Sequence, residues 1–501
     1  MALASYTPVV VKNTTLLGPQ ISSDLNVYRD GGHSVLINDK IVWLYDDTTC
    51  SSDSGQMLSF VSNTAAYSRN PNHNISTLTD FGIQTTGRGN AILDSYSVAD
   101  GGWVPFTQDE KDFNDRSNGK ERVAIWPGTN PTPVSTTSAF IFAPIVYVDS
   151  KPGGAPYPTY QARGMTLVSI TATATGPQAA RDGELIFTAS NIAYGGFSCV
   201  LGLPSTSLHV ASQTETNSDE TRDVYLIGMD THGLQMARVA LDDIADYSKY
   251  TFFQPRDRTF ATRPPVLGTN DTHDIYLPGS YTSGTVFYSP FFGNFLLLYF
   301  NHLADSTFYY RYLDLQSPTT SDDIWIKGGK NGRGIQPEDA EALVMYSWSN
   351  EARLWTSPTE KGGYNYAGQV HTEFFNRQYY APSLFPADTT APQSAWLGAS
   401  EVPESGDVAD GQHLLLSWTA QLGDGLYKVM LARLEFDAIP PTAPAPTATT
   451  SSTATATATA TSKGPGDGDG YIAEADALVV SGLARLAIGV VLLVSVAVAS
   501  C

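Results

Sequence analysis

Three carboxylates, Asp30, Asp46 and Asp47, stand at the two ends of one short stretch, RDGGHSVLINDKIVWLYDDT, residues 29–48. Asn38-Asp39 between the two apolar runs is a favoured two-residue hairpin turn. Register counted from that turn sets Ile37 opposite Lys40, Asp30 opposite Asp47 and Asp46 opposite Gly31. Directly opposed side chains share a face, with Cβ atoms about 4.5–5.5 Å apart. Two acids that close raise one another's proton affinity, leaving one carboxyl protonated and one ionised near neutral pH. That combination suits glycosidic cleavage, in which an acid protonates the leaving oxygen and a second carboxylate works on the other side of the sugar. Gly31 and Gly32 keep the space beside Asp30 open, and the flanking apolar strands give both acids a rigid base. A one-residue slip in register would exchange Asp46 for Asp47 as the partner of Asp30. The same letters also read as a plain turn, Asp before Gly-Gly, and a plain strand exit, DDT.

The elements that must hold these acids are strands. The chain has 501 residues, 42% of them hydrophobic, with 26 Tyr, 21 Phe and 8 Trp. Up to about residue 438 it consists of short runs rich in Val, Ile, Tyr, Phe and Trp, separated by Gly, Pro, Asn and Asp clusters. This is an all-β pattern. Helical periodicity is confined to LDDIADYS and PEDAEALVMYS. The runs gather into five groups, roughly 25–70, 88–175, 183–255, 262–330 and 338–438. Each can form a small antiparallel sheet, which predicts a five-bladed β-propeller over residues 1–438, with a large β-sandwich as the alternative. Inner strands of a propeller open onto one central face, where polar strand ends such as YFNH and LIGMD would meet.

Charge and cysteine content narrow the partners. Asp and Glu number 50 against 29 Lys and Arg, a net charge of −21. No basic cluster exists to neutralise phosphates, so nucleic acid is excluded as a partner class. Cys50, Cys199 and Cys501 are the only cysteines, and no CxxC occurs. Cys50 and Cys199 read either as a disulfide or as two buried thiols. GxSxG, HExxH and P-loop motifs are absent, so serine-hydrolase, zinc-protease and NTPase readings have no residues behind them.

The end of the chain changes character. Residues 439–472 begin as IPPTAPAPTATTSSTATATATATS, a Thr/Ala/Ser/Pro composition that cannot bury a core and reads as a disordered, O-glycosylated stalk. Residues 473–501 end in LARLAIGVVLLVSVAVASC. Small residues, a polar spacer and a terminal apolar run form the order of a GPI-anchor signal, with Gly466, Gly468, Gly470 or Ala473 as attachment residue. A transmembrane anchor is the rival, but the apolar run is short and has no basic flank after it. The expected location is the extracellular cell surface, on plasma membrane or wall, through a lipid anchor. MALASYTPVVVKNTT has no basic n-region or apolar h-region, so the leader that export requires is expected upstream of residue 1. Sequons at Asn13, Asn74 and Asn270 agree with secretion.

The opening stretch resembles the first-blade signature of a propeller superfamily that includes endo-D-arabinanase-type glycoside hydrolases. There an early Asp precedes a strand ending in aromatic-Gly-Asp-Thr. RDVYLIGMDTHGLQMARVALDDIADYSKYTFF, SPFFGNFLLLYFNHLADSTFYYRYLDLQSPTTSDDIW and YYAPSLF…LLLSWTAQLGDGLYKVMLARLEF are similar to later blades, in order, over residues 25–438. The resemblance implies a five-bladed propeller and an inverting hydrolase of furanosidic, arabinan-like glycans. By position it makes Asp30 and Asp47 the catalytic acids. Asp46 stands where the family has Gly and adds a third carboxylate, catalytic or tuning. Arg29, His33, Arg88, Asn301, His302 and Tyr380 are candidate sugar-binding or tuning residues, and each is equally compatible with a structural place. Trp103, Trp126 and Tyr194, in Gly-rich contexts, are candidates for sugar stacking or for core packing. No cofactor is expected. Some propellers hold a structural calcium ion, but no ligand loop here specifies one. A monomer acting on a polysaccharide or cell-wall glycan is the expected state, and a non-catalytic surface propeller that binds glycans or a protein is the other reading.

Overall fold

A computed structural model describes residues 9–20, 22, 26–38, 40–52, 54, 57–68, 79–80, 102–117, 120–149, 158–202, 222–269, 271–300, 305–318, 335, 337–361, 363–374, 412–421 and 426–437. Arg88, Asn301, His302, Tyr380, Asn74, Asn270, Cys501 and the stalk and tail over 439–501 lie outside the described residues.

Five antiparallel sheets form the five blades of a propeller. The first contains Val27–Ile37, Lys40–Ser51, Thr64–Ser68 and Thr79–Asp80, with Met57–Val61 beside its second strand. In the second, Glu121–Ile125 and Thr132–Pro133 lie along Ser138–Asp149, followed by Thr159–Thr173 and its neighbours Gly176–Ala180 and Leu185–Thr188. The third runs Ala193–Gly202, Asp223–Asp230, Gly233–Ala240, Thr251–Gln254 and Thr259–Ala261. The fourth runs Ser283–Ser289, Asn294–Phe300, Thr307–Pro318 and Tyr346–Trp348. Innermost strands touch in a closed ring: Val27–Ile37 meets Tyr364–His371 and Thr132–Pro133, and Ala193–Gly202 and Ser283–Ser289 complete the circuit.

Both faces of a blade press on its neighbours, which is why the strands read as continuous apolar runs. Every residue of Asn294–Phe300, NFLLLYF, is buried. An apolar core sits at each of the five blade boundaries. Val42, Leu44, Ile141 and Ile145 join the first two blades, and Phe142, Phe187, Leu226 and Phe252 join the second and third. Ile227, Met236, Leu297 and Tyr299 lie between the third and fourth, and Leu298, Phe300, Leu416 and Trp418 between the fourth and fifth. Trp43, Tyr45, Leu415 and Leu431 seal the fifth against the first.

The fifth blade is completed from the other end of the chain. Its strands run in the order Tyr364–His371, His413–Gln421, Tyr427–Phe436 and then Val11–Pro19. Val11 pairs with Phe436, Thr14 with Leu434 and Pro19 with Met430. Residues 11–19 fall before the first sequence group, so this outer strand was not anticipated. Several group boundaries also move: Leu185–Thr188 belongs to the second blade, Thr259–Ala261 and Leu277–Pro278 to the third, and Tyr346–Trp348 and Ala352–Thr356 to the fourth. LDDIADYS forms two short 3-10 turns, Leu241–Asp243 and Tyr247–Lys249, and PEDAEALVMYS a single α turn at Ala342–Met345.

The longest described helix, Gln108–Ser117, has mostly polar letters and escapes an apolar-periodicity search. Its signal is a capping box, Thr107-x-x-Glu110. Thr107 Oγ1 accepts from the Glu110 N–H at 3.3 Å, and Glu110 Oε2 accepts from the Thr107 N–H at 2.8 Å. No helix among the described residues is long and apolar enough to cross a membrane. Cys50 and Cys199 are not joined by a disulfide. Cys50 lies on the second strand of the first blade and Cys199 on the innermost strand of the third, with the second blade between them.

Candidate active site

The hairpin turns between Ile37 and Lys40, which pair, and Asn38 takes a left-handed φ of 54°. From Ile37 to His33 and from Arg29 to Val27 the counted register holds. Between these stretches it breaks twice. Gly31 pairs with Tyr45, not with Asp46, so Asp30 alone faces Asp46 and Asp47 between the Arg29–Thr48 and Gly31–Tyr45 pairs. Gly32 is then the extra residue before His33–Leu44, and the register recovers. Two opposed bulges therefore bracket the acids, and bulges re-aim side chains. Gly31 and Gly32, with φ of 80° and 98°, supply the backbone this needs.

The three carboxylates are gathered and almost sealed from solvent, at 5%, 5% and 4% exposure for Asp30, Asp46 and Asp47. Their partners come from the blades on either side. The Tyr366 hydroxyl, on the innermost strand of the fifth blade, donates to Asp30 Oδ2 at 3.0 Å. From the second blade, Trp126 Nε1 donates to Asp47 Oδ1 at 2.8 Å. A guanidinium nitrogen of Arg122 reaches Asp47 Oδ2 at 3.1 Å and Oδ1 at 3.3 Å. The Arg122 guanidinium also lies 4.6 Å over the Phe60 ring and donates to Ser62 Oγ at 3.0 Å. Asp46 has no such support: its Oδ2 is 3.8 Å from His33 Nε2. Asp30 Oδ1, Asp46 Oδ1 and both ring nitrogens of His33 are buried without a hydrogen-bond partner among the described residues.

Charge state follows from these surroundings. Burial pushes the Asp30 carboxyl well above the ordinary range, and the neighbouring Asp46 and Asp47 push it further. The Tyr366 hydroxyl and the Asp47 backbone amide pull it partly back. Asp46 is likewise raised well above its usual value by burial and then by Asp47. Asp47 is raised by burial, and Arg122 and Trp126 oppose the rise. His33 is held neutral, its pKa lowered to about 3 by burial. The cluster thus holds two carboxyls, Asp30 and Asp46, pushed toward the neutral form beside a third, Asp47, whose rise is opposed by a fixed cation.

Further along the axis the same innermost strands are tied by neutral groups. The Ser34 N–H donates to Asn130 Oδ1 at 3.0 Å, and Asn130 Nδ2 donates to the Val370 carbonyl at 2.6 Å. Ser34 Oγ bonds His371 Nδ1 and Glu373 Oε1, and His371 Nε2 meets Ser417 Oγ at 2.7 Å. Beside this network an axial cavity of about 100 Å³ takes one lining group from each blade: Ser34, Asn130, Ser198, Thr285 and Glu373. Burial raises Glu373 to about 7. Among the described residues, no set of three His, Cys, Asp or Glu side chains is arranged to hold a metal ion.

The structure therefore brings Asp30, Asp46, Asp47 and His33 together. Arg29 lies over the Tyr45 ring at 4.6 Å and lines a niche with Gln20 and Lys428. Trp126, a candidate for sugar stacking, uses its indole N–H on Asp47 instead. Tyr194 is fully buried beside Phe187 and Phe252, and Trp103 packs on Val61, so both serve the core. Asn13 is exposed on the N-terminal strand. Arg122 and Tyr366 escaped the sequence reading. Arg122 had a signal, since it stands four residues before Trp126 in the strand-like ERVAIW, where such spacing puts two side chains on one face. Tyr366 had none, because only the ring brings it to Asp30.

No protein-family profile and no curated protein matches the chain. Solved structures with a related shape include a candidate hydrolase from Bacteroides ovatus, 12% identical with a TM-score of 0.44, covering 84% of this chain and 87% of its own. A GH62 hydrolase in complex with xylotriose is 10% identical with a TM-score of 0.33, over 83% of this chain and 96% of its own. An α-L-arabinofuranosidase from Podospora anserina in complex with cellotriose is 9% identical with a TM-score of 0.32, over 86% of this chain and 98% of its own.

Proposed function

We propose that this chain is a glycoside hydrolase of the cell surface whose chemistry is done by the Asp30–Asp46–Asp47 cluster. The observation that carries the reading is the coexistence, in one bulged hairpin, of buried carboxyls pushed toward the neutral form and a carboxylate paired with Arg122. Glycosidic cleavage needs a proton donor for the leaving oxygen and a second carboxyl that activates water, and a buried cluster held beside one fixed anion lets like carboxyls divide those roles. Two like acids in open water would both be ionised at neutral pH and could not divide the roles. Blades on either side fix the groups, so little reorganisation accompanies reaction.

The sequence resemblance points to arabinan-like furanosidic glycans and to inversion at the anomeric carbon. The low-complexity segment 439–472 and the apolar end 473–501 support a stalked, lipid-anchored protein acting on wall polysaccharide. The near-complete burial of all three acids favours one other reading, a propeller that binds glycan without cleaving it. Incubating the protein with arabinan and a panel of wall glycans separates the two. Hydrolysis predicts released sugar, lost by about 10²-fold or more in Asp30→Asn, with the inverted anomer seen by NMR. Glycan binding with no product from the wild type would establish the second reading.

A further inference from the structure

Resting on the hydrolase reading, we infer that Asp46, and not Asp47, is the carboxyl that works with Asp30, while Asp47 is a positioning anion. The family resemblance pairs Asp30 with Asp47 by position, so this is a property of this chain's own residues.

Valence decides the matter. Both oxygens of Asp47 are engaged: Oδ1 by the Trp126 indole at 2.8 Å and Arg122 at 3.3 Å, Oδ2 by Arg122 at 3.1 Å. A carboxylate clamped by a cation and an N–H donor is a poor base, because each contact stabilises the charge that proton transfer would remove. It is a worse acid, because the clamp disfavours its protonated form. Asp46 has the reverse surroundings. Its Oδ1 is buried and unengaged among the described residues. Its Oδ2 faces His33 Nε2 at 3.8 Å, beyond hydrogen-bond distance. His33 is 1% exposed, and among the described residues neither of its ring nitrogens has a hydrogen-bond partner. Asp30 Oδ1 is in the same condition. Buried polar atoms of native proteins are rarely left so, and three such groups on one bulged hairpin, unmet among the described residues, point to a place for the polar atoms of a ligand. Gly31 keeps that place clear: a Cβ there would lie 3.0 Å from both Asp46 Oδ2 and His33 Nε2.

Roles follow from the remaining contacts. Asp30 accepts from the Tyr366 hydroxyl, which favours its ionised form, whereas among the described residues no donor meets Asp46 Oδ1. Asp46 is the acid: its O–H bond breaks, the proton passes to the glycosidic oxygen, and the bond from that oxygen to the anomeric carbon breaks. Asp30 is the base: it takes one proton from a water whose oxygen bonds to that carbon. One water is consumed, Asp46 ends ionised and Asp30 protonated, and a proton passing from Asp30 to Asp46 through solvent restores the start.

Leaving-group dependence tests this. Asp46→Asn, Asp47→Asn and wild type are each assayed on the natural glycan and on an aryl glycoside whose phenol leaves without protonation. The quotient of the two rates within one preparation is independent of how much protein is folded. Asp46→Asn is expected to lose about 10²–10⁴-fold on the glycan and less than about tenfold on the aryl glycoside. Asp47→Asn is expected to lose both in equal proportion. The inference is overturned if Asp46→Asn keeps the wild-type quotient, or if Asp47→Asn shows the selective loss. A wild type that cleaves neither substrate overturns the hydrolase reading itself, and this inference with it.

Discussion

Trp126 reaches across a blade boundary to Asp47, its indole Nε1 donating to Oδ1 at 2.8 Å. The bond, with the Arg122 contact beside it, links the second blade to the hairpin of the first. It has a counterpart on the other side, where Tyr366 of the fifth blade donates to Asp30. The acids are thus held by the ring and not by their own sheet alone.

Removing the indole donor leaves a buried carboxylate oxygen poorly met, which costs about 1–3 kcal/mol. Trp126→Phe is expected to lower unfolding stability by that order in a urea titration. A midpoint and slope equal to wild type would show that the bond carries no stability.

The Tyr366 hydroxyl stabilises ionised Asp30, so its loss disfavours the anion and raises the Asp30 pKa. Tyr366→Phe should therefore move the acidic limb of the pH–rate profile toward higher pH, because Asp30 acts while ionised. Movement toward lower pH would contradict that role.

Gly31 and Gly18 allow a controlled comparison, since both have left-handed φ, 80° and 88°. Each Ala substitution pays the backbone penalty of about 1–2 kcal/mol. At Gly18 nothing lies within 4 Å of the new Cβ, whereas at Gly31 Asp46 and His33 stand at 3.0 Å. Both variants should melt earlier, and Gly31→Ala alone should lose catalysis beyond its loss of folded protein.

The acids also set how stability depends on pH. Asp30 and Asp46 have folded pKa values well above the unfolded value of about 3.9. The fold therefore binds more protons than the unfolded chain, and their contribution is complete below about pH 4 and lost as pH rises through the raised values. Glu373, at about 7, adds a loss between its usual range and neutrality. His33, lowered to about 3, works in the opposite sense: its share is present above about pH 6.5 and lost as pH falls toward 3. Thermal melts from pH 4 to 8 should show Asp46→Asn gaining on wild type as pH rises. A constant difference would place the Asp46 pKa at an ordinary value.

Deleting residues 1–19 uncovers the edge of Tyr427–Phe436, whose ladder is otherwise paired to Val11–Pro19. The truncated chain is expected to be less stable and to aggregate, as read by light scattering. A peptide spanning residues 9–20 should restore the melt, and no change on deletion would mean the strand is dispensable.

The legible features were those that neighbours in sequence decide. Asn38-Asp39 dictated a two-residue turn, and the turn carried the register correctly to His33 and again from Arg29 to Val27. Apolar runs such as NFLLLYF gave strands because each is buried on both faces. The bulges at Asp30 and Gly32 were not legible, since a register count assumes an unbroken ladder and Gly-Gly leaves room to break it. Arg122, Tyr366 and the strand at Val11–Pro19 depend on closure of the ring, a relation between distant segments. Cys50 and Cys199 fit a pairing by number alone, and the intervening blade settles it.

The Asp30–Tyr366 bond joins residues 336 apart in the chain. At about 5–20 residues per second of synthesis, roughly 20–70 s separate the appearance of the carboxylate from that of its hydroxyl. Until then the acids of the first hairpin are in water and ionised. Only when the last blade arrives are they enclosed, and the burial that raises the proton affinity of Asp30 and Asp46 then favours uptake of protons from solvent. A nascent chain that meets its final third in alkaline surroundings would have to suppress that uptake, so the proton supply where it folds becomes part of how quickly the ring shuts.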